Sequence, residues 1–293
     1  MMRATMPRGM LYQYAKLMRL HRPVGIWLLL WPTLWALWLA ADGRPDQGLF
    51  VIFVAGVIVM RSAGCVINDW ADRDLDGQVA RTRGRPLPSG TVTPNEALAL
   101  FAALSLVAIA LALQLNRQAQ LLAVAGGVLT VAYPFMKRFM SAPQLVLGAA
   151  FGWAVPMAFA ATTGSVPQLG WLLFLAVIVW AVIYDTAYAM VDREDDLRAG
   201  VRSTAILLGS ADVFVVSLLM IVLILALALA GRLAALGPWY FASLLVAGAL
   251  LVHQRRLIAA RDPTRCFDAF MRSHLVGAAV FAGILLDYTF RPL

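Results

Sequence analysis

Charge is what this sequence has least of. Charged residues are 14% of its 293 positions, where a soluble globular domain carries roughly a quarter. A water-facing surface cannot be built from so few, which excludes a soluble globular protein. Lysine is almost missing: only Lys16 and Lys137 accompany the arginines. The two cysteines, Cys65 and Cys266, are too few for a disulfide framework and fall in or beside apolar segments, so two free, buried thiols are expected. His21, His253 and His274 are scattered without ligand spacing, which argues against a zinc site. No low-complexity stretch interrupts the chain, and no separate soluble domain is visible; residues 1–293 read as a single domain.

What is abundant is apolar sequence, 61% of residues with a mean hydropathy of +0.78. It comes in runs of about 17–22 residues, each long enough to cross a hydrocarbon core of about 30 Å. In lipid such runs must be helical, because backbone N–H and C=O groups have to be satisfied internally. Nine spans are predicted, at 24–41, 48–67, 96–114, 119–136, 144–162, 169–190, 211–230, 236–253 and 267–287. The fold class is therefore all-α and polytopic. The first run is too long for a signal-peptide core, and eight more follow it.

The net charge of +8 could suggest a nucleic-acid partner, but its distribution argues otherwise. With the N-terminus inside, the outer loops and C-terminus hold only Arg44, Arg117, Arg232 and Arg291, and the remaining basic residues fall on or near the inner side. That is the positive-inside asymmetry. Residues 1–22 place Met10, Leu11, Tyr14, Leu17 and Met18 on one face beside Lys16, Arg19 and Arg22, a pattern expected of a short helix in the inner interface.

Acidic residues are scarcer still, and most gather in two knots at the inner ends of spans two and six. The first opens the stretch 68–95 and reads Asn68-Asp69-Trp70-Ala71-Asp72-Arg73-Asp74-Leu75-Asp76. If the helix continues, Asn68, Asp72 and Asp76 share a face. The second, in 185–209, puts Asp185, Tyr188, Asp192 and Asp196 on one face. Stacked carboxylates repel, and at a low-dielectric helix end the repulsion is costly. A cation is expected between them, and oxygen-only ligands suit Mg²⁺, which completes its shell with water and substrate phosphates. Each knot is followed by basic, glycine-containing sequence, Arg81-Thr82-Arg83-Gly84-Arg85 and Arg198-Ala199-Gly200-Val201-Arg202, and arginine forks match phosphate geometry. A third inner loop reads Tyr133-Pro134-Phe135-Met136-Lys137-Arg138. Trp27, Trp31, Trp35 and Trp38 form a stripe on span one that suits packing or lipid contact better than a site.

Together these pieces resemble the UbiA superfamily of intramembrane prenyltransferases. Asn68-Asp69-x-x-Asp72-x-x-x-Asp76 is similar to its first aspartate motif, Asp192-x-x-x-Asp196 to its second, and Tyr133-Pro134-x-x-Lys137-Arg138 to the loop between them. Leu20-His21-Arg22-Pro23-Val24-Gly25, Arg83-Gly84-Arg85-Pro86-Leu87-Pro88-Ser89-Gly90 and Tyr184-Asp185-Thr186-x-Tyr188-Ala189-Met190 resemble the branch that prenylates 4-hydroxybenzoate in ubiquinone biosynthesis.

The resemblance implies a nine-helix bundle whose central cavity opens to the cytoplasmic side and sideways to lipid. It implies Mg²⁺ on Asn68, Asp72, Asp76, Asp192 and Asp196, with diphosphate contacts from Arg73, Lys137 and Arg202. Arg138 and Arg22 become candidates for the aromatic carboxylate, and Tyr188 could face the allylic cation; Asp72, Asp192, Lys137 and Tyr188 are the candidate catalytic set. The implied substrates are a polyprenyl diphosphate and 4-hydroxybenzoate, with the lipid bilayer as the surroundings and no obligate protein partner. The setting expected is a bacterial inner membrane, with the N-terminus and active-site loops cytoplasmic and the C-terminus periplasmic. Rival readings are a naphthoate, homogentisate, haem or glycerol-phosphate prenyltransferase, a cation-coupled transporter, and a membrane scaffold without ligand.

Overall fold

The computed structural model describes residues 8–77, 82–136 and 138–290, and among these it contains helices and connecting turns with no strand. A short α1 (Arg8–Leu17) precedes α2 (Val24–Ala40), α3 (Gln47–Asp76), α4 (Pro94–Ala112) and α5 (Arg117–Met136). Then come α6 (Gln144–Gly152), α7 (Ala154–Thr163), α8 (Gln168–Ala199), a single-turn α9 (Thr204–Leu208) and α10 (Asp212–Leu233). The chain ends with α11 (Pro238–Ile258), α12 (Pro263–Arg272) and α13 (His274–Phe290). Eight helical segments among the described residues are long and apolar enough to cross a membrane, and α2 is a shorter apolar helix of 17 residues. The chain is a multi-span membrane protein.

Every predicted span falls on one of these segments, but two are broken. The run 144–162 divides at Trp153 because Pro156 has no N–H to give the Gly152 carbonyl. The run 267–287 divides at Ser273, whose hydroxyl bonds back to Ala269 O (3.0 Å) while its N–H takes Phe270 O in a tighter turn.

Local chemistry sets the other ends. Asp46 caps α3 by accepting from Leu49 N, and Thr93 and Glu96 form a reciprocal capping box on α4 behind Pro94. At the far end of α8 the chain turns through Gly200 at φ +67°, a left-handed conformation that glycine adopts without strain.

Between helices in lipid the hydrophobic effect is weak, and van der Waals fit decides packing. Gly148 lets α6 lie against the α8 backbone, since a β-carbon there would stand 3.0 Å from Ile178 Cα. The tryptophan stripe is mostly packing: Trp35 is buried, stacks on Trp180 (5.6 Å) and donates to Gly277 O (3.0 Å), while Trp31 and Trp38 pack on Phe281. Of the four, Trp27 is the most exposed, at 38%, and it stacks on Trp31.

A second, smaller core sits at the end of the bundle that carries the acidic knots, and it takes in part of the apolar face of the N-terminal helix. Leu17 is wholly buried with Val66, Leu87, Val92 and Ala97, and Tyr14 and Met18 pack on that cluster, while Leu11 stays exposed. The loop after α3 folds back beneath it: Pro86 O accepts from Val92 N and Thr91 Oγ1, and Lys16 Nζ donates to Gly84 O. Thus α1 is bound to the protein along half of its apolar face.

At 30 and 32 residues, α3 and α8 are about 45 and 48 Å long, well beyond a core of about 30 Å. Both acidic knots therefore lie on continuous helix, the condition under which their spacing aligns the carboxylates.

Candidate active site

A cavity of about 970 Å³ lies among α2, α3, α4, α5, α6, α7, α8 and α12. One end of it is polar, with Arg19, Arg22, Arg61, Asn68, Asp69, Arg85, Asp185 and Tyr188 in the wall. The rest is mostly apolar, with Gln120 and Arg117 at the far end, and follows α5 from Tyr133 to Arg117, a run of about 24 Å at 1.5 Å per residue. Gly56 and Gly127 leave that part of the wall without side chains, as a β-carbon at either would meet nothing within 4 Å. On this side α4 and α5 scarcely touch one another, and few of their residues are buried.

The carboxylates of α3 are buried: Asp69 is 1% exposed, Asp72 3% and Asp76 7%. Buried carboxylates persist only with counter-charge. Arg85 supplies most of it, donating from Nη1 to Asp69 Oδ1 (3.1 Å) and to Asp76 Oδ2 (2.5 Å), carboxylates two helical turns apart. Arg19 adds a second fork on Asp69 at 2.7 and 3.0 Å. The loop is closed onto the helix end by Thr82 Oγ1, which donates to Asp76 O. At the corner between α1 and α2, partial burial and then the neighbouring Arg22, Arg19 and Lys16 lower the His21 pKa, so His21 is neutral at pH 7 and the positive charge there belongs to arginine and lysine.

Opposite, α8 brings Asp185 and Tyr188 to the cavity wall, with half-buried Asp192 and Asp196 further along the same face. Tyr188 packs against Phe270 (4.7 Å) and Phe267 of α12. Tyr133, at the end of α5, shares the cavity wall with Asn68 of α3 and Asp185 of α8. The turn after it is tied to both sides: Arg138 Nη2 donates to Ala71 O on α3 (2.7 Å), and Arg202, beyond α8, donates to Phe139 O (2.9 Å).

The sequence-predicted residues thus divide by place. Asn68, Tyr188 and Arg22 line the cavity; Asp72 and Asp76 are buried on α3 beside it; Asp192 and Asp196 continue the α8 row. Arg138 and Arg202 hold the connecting turn, and Lys137 lies outside the described residues. Arg73 points back along its own helix, donating to Trp70 O (2.8 Å) and stacking over the Trp70 ring.

Four cavity cations went unassigned from sequence: Arg19, Arg61 and Arg85 towards the acidic end, and Arg117 at the other. Arg61 had a legible signal, a lone charge inside the apolar run Val59-Met60-Arg61-Ser62. Its guanidinium donates to Cys65 Sγ (2.7 Å) and lies near the Phe151 ring, and among the described residues its Nε is buried without a hydrogen-bond partner. Asp69 and Asp185 also went unassigned, although both stand within the acidic knots.

Among the described residues no three carboxylate, cysteine or histidine side chains converge into a closed metal cage. The candidate donors, oxygens of Asn68 and of the aspartates, would fit Mg²⁺ where each ion takes one or two carboxylates and phosphate and water complete the shell.

The family signature described as "UbiA prenyltransferase family" matches residues 29–276. Over 284 residues the chain is 53% identical to the 4-hydroxybenzoate octaprenyltransferase of Aeromonas hydrophila subsp. hydrophila, covering 97% of this chain and 98% of that one. It is 53% identical over 280 residues to the protein of the same name from Saccharophagus degradans, covering 96% and 94%. Its fold is similar to the apo structure of a UbiA homolog from Aeropyrum pernix K1, with a TM-score of 0.80, 26% identity and coverage of 89% and 97%. It is also similar to that of a UbiA homolog from Archaeoglobus fulgidus bound to GPP and Mg²⁺, with a TM-score of 0.68, 19% identity and coverage of 93% and 99%. A helical bundle with carboxylates on two long helices at one end of an apolar cavity, matched along nearly its whole length in sequence and in fold, places this chain in the UbiA prenyltransferase family.

Proposed function

We propose that the protein transfers a polyprenyl group from its diphosphate to the ring carbon ortho to the hydroxyl of 4-hydroxybenzoate, with Mg²⁺, in ubiquinone biosynthesis. One observation carries this reading: a single cavity joins a carboxylate- and arginine-lined end to an apolar run of about 24 Å beside two loosely packed helices. Such a cavity matches a molecule with a multiply charged head and a long apolar tail, and the gap between α4 and α5 is the entrance for the tail from lipid.

In this reading Asn68, Asp72, Asp76, Asp192 and Asp196 hold the ions, which neutralise charge on the departing diphosphate when bound. Arg73, Lys137 and Arg202 meet diphosphate oxygens, Arg73 after turning from the Trp70 carbonyl. Tyr188 presents its ring to the allylic carbon as the C–O bond breaks, where an aromatic face stabilises positive charge. The new C–C bond forms at the ring, and the displaced ring proton goes to a carboxylate; Asp185, in the wall beside Tyr188, is the base assigned here.

For the aromatic carboxylate, Arg22 lines the cavity mouth and Arg61 lies about 10 Å deeper than Asn68 along α3. Arg138 reaches the same substrate on releasing the Ala71 carbonyl. Replacing Arg61 by Gln should raise KM for 4-hydroxybenzoate by about 10- to 100-fold, the worth of a charge-assisted hydrogen bond, with KM for the prenyl diphosphate little changed. Steady-state kinetics with each substrate varied in turn would show it, and an effect confined to the diphosphate would remove Arg61 from the acceptor site.

The protein sits in the bacterial inner membrane, with residues 1–293 forming one domain. Its N-terminus and acidic loops face the cytoplasm and its C-terminus the periplasm. The test is an assay of purified protein in lipid nanodiscs with labelled 4-hydroxybenzoate and a panel of prenyl diphosphates. Prenylated product should form with Mg²⁺, vanish with chelator and return when Mg²⁺ is restored. Ion flux in proteoliposomes with no product would favour the transporter, and product only from another acceptor would move the chain to another branch of the family.

A further inference from the structure

We propose that Phe270 of α12 is a further catalytic residue, whose ring borders the allylic carbon together with Tyr188 and stabilises the positive charge that appears there as the diphosphate leaves. The inference rests on the reading above, in which this cavity ionises a prenyl diphosphate.

The short helix α12 is two-faced by sequence. Arg265, Asp268 and Arg272 share one side, where Arg265 is exposed and Asp268 pairs with Arg272 at 2.9 Å. On the other side Cys266 and Ala269 are buried, Cys266 Sγ meets Met190 Sδ of α8 (3.9 Å), and Phe267, Phe270 and Met271 enter the cavity wall. The Phe270 ring lies 4.7 Å from that of Tyr188 and 6.3 Å from that of Tyr184, so it is level with the turn of α8 that carries Asp185. Phe267 packs at 6.3 Å on both Tyr188 and Phe270. From Tyr188 to Asp192 the rise along α8 is about 6 Å. A head group held at Asp192 is bonded directly to the allylic carbon, which puts that carbon beside Tyr188 and Phe270.

What a phenylalanine can do at that place is narrow. Its ring has no hydrogen-bond donor or acceptor, so it holds neither a diphosphate nor an aromatic carboxylate; besides bulk it offers the negative face of a π system. As the C–O bond breaks, its electron pair leaves on the diphosphate oxygen and the allylic carbons are left positive. A free carboxylate in contact with them would capture the cation as an ester, and water would capture it as an alcohol. An aromatic face stabilises the charge without bonding to it, and does so best where water is excluded. The charge ends when a ring carbon of the acceptor supplies the electron pair of the new C–C bond and its proton passes to Asp185. Tyr188 and Phe270 are tilted at 49°, so the pair is not a closed stack, and both stand in the cavity wall.

The test uses the full chain in nanodiscs with Mg²⁺, geranyl diphosphate and labelled 4-hydroxybenzoate, and phenylalanine carrying one, two or three ring fluorines incorporated at position 270. Fluorine drains electron density from the ring face and adds little volume, so packing is kept while the attraction for a cation fades. The single-turnover rate of product formation should fall stepwise with each fluorine, to about twentyfold below wild type with three, while the KM values of both substrates and the thermal unfolding midpoint stay near wild type. Phe270→Leu, which keeps an apolar side chain without a ring, should be at least as slow as the protein with three fluorines; if leucine loosens α12, the fluorine series decides alone. A wild-type protein that forms no prenylated product would remove the underlying reading. With wild-type product in hand, a rate indifferent to the number of fluorines, or an effect confined to KM for 4-hydroxybenzoate, would show a ring that only packs or that stacks on the acceptor, and either overturns the proposal.

Discussion

Replacing Asp72 or Asp192 by Asn is expected to lower turnover about a thousandfold while the protein remains inserted and folded. The two residues stand on different helices, α3 and α8, and asparagine keeps the size of each side chain while removing its charge. Charge stabilisation by a bound metal is worth several kcal/mol to the transition state, and each 1.4 kcal/mol is about a factor of ten in rate. Asp72 is 3% exposed. Asparagine keeps the side chain's shape and one of its acceptor oxygens, so the fold should survive the change and the loss should fall on the reaction. Product formation per mole of protein, beside circular dichroism and gel filtration in detergent, separates the two effects. Wild-type turnover from either variant would mean that the acidic rows do not hold the head group.

Replacing Arg85 by Ala should produce the largest loss of stability, about 3 kcal/mol, read as a lower thermal unfolding midpoint. Arg85 bridges Asp69 and Asp76, with their side chains 1% and 10% exposed. Breaking a buried pair leaves an uncompensated charge, which costs more than the pair contributes when intact. Asp69 would still have Arg19, so Asp76 bears most of the cost. The matched change Arg85→Met with Asp76→Asn should recover much of the loss. If Arg85→Ala melts with the wild type, the bridge is not what secures the C-terminal end of α3. Because Arg85 also lines the cavity, activity should fall with it.

Legibility from sequence followed the reach of each physical signal. Span positions were readable to within a few residues because a hydrocarbon core about 30 Å thick imposes a minimum apolar length. The breaks at Trp153 and Ser273 were not, since both halves of each run remain apolar and composition does not register a kink. The acidic rows were readable as rows, because helical periodicity turns Asn68, Asp72 and Asp76, or Asp185, Asp192 and Asp196, into one face. Their arginine partners were harder. Arg85 is nine residues beyond Asp76, Arg19 is fifty before Asp69, and loop closure over such separations leaves no periodic trace. Arg61 was visible as a charge within an apolar span, yet its cavity exists only once α5, α6 and α8 surround it. The pairing of Arg193 on α8 with Asp212 at the start of α10 joins different helices and leaves no periodic trace either.

The amino-acid order by itself determined that this chain lies in a membrane as helices, and that two of those helices end in aligned carboxylates. These are consequences of segment length and of 3.6 residues per turn, and both act within a single element. Tertiary structure alone decided which cations neutralise which acids, that an apolar cavity reaches from the acid-lined end along α5, and that α1 is partly sequestered by the loop after α3. The reason is that burial, and therefore the strength of every charge interaction, is a property of what surrounds a residue and not of the residue's neighbours along the chain.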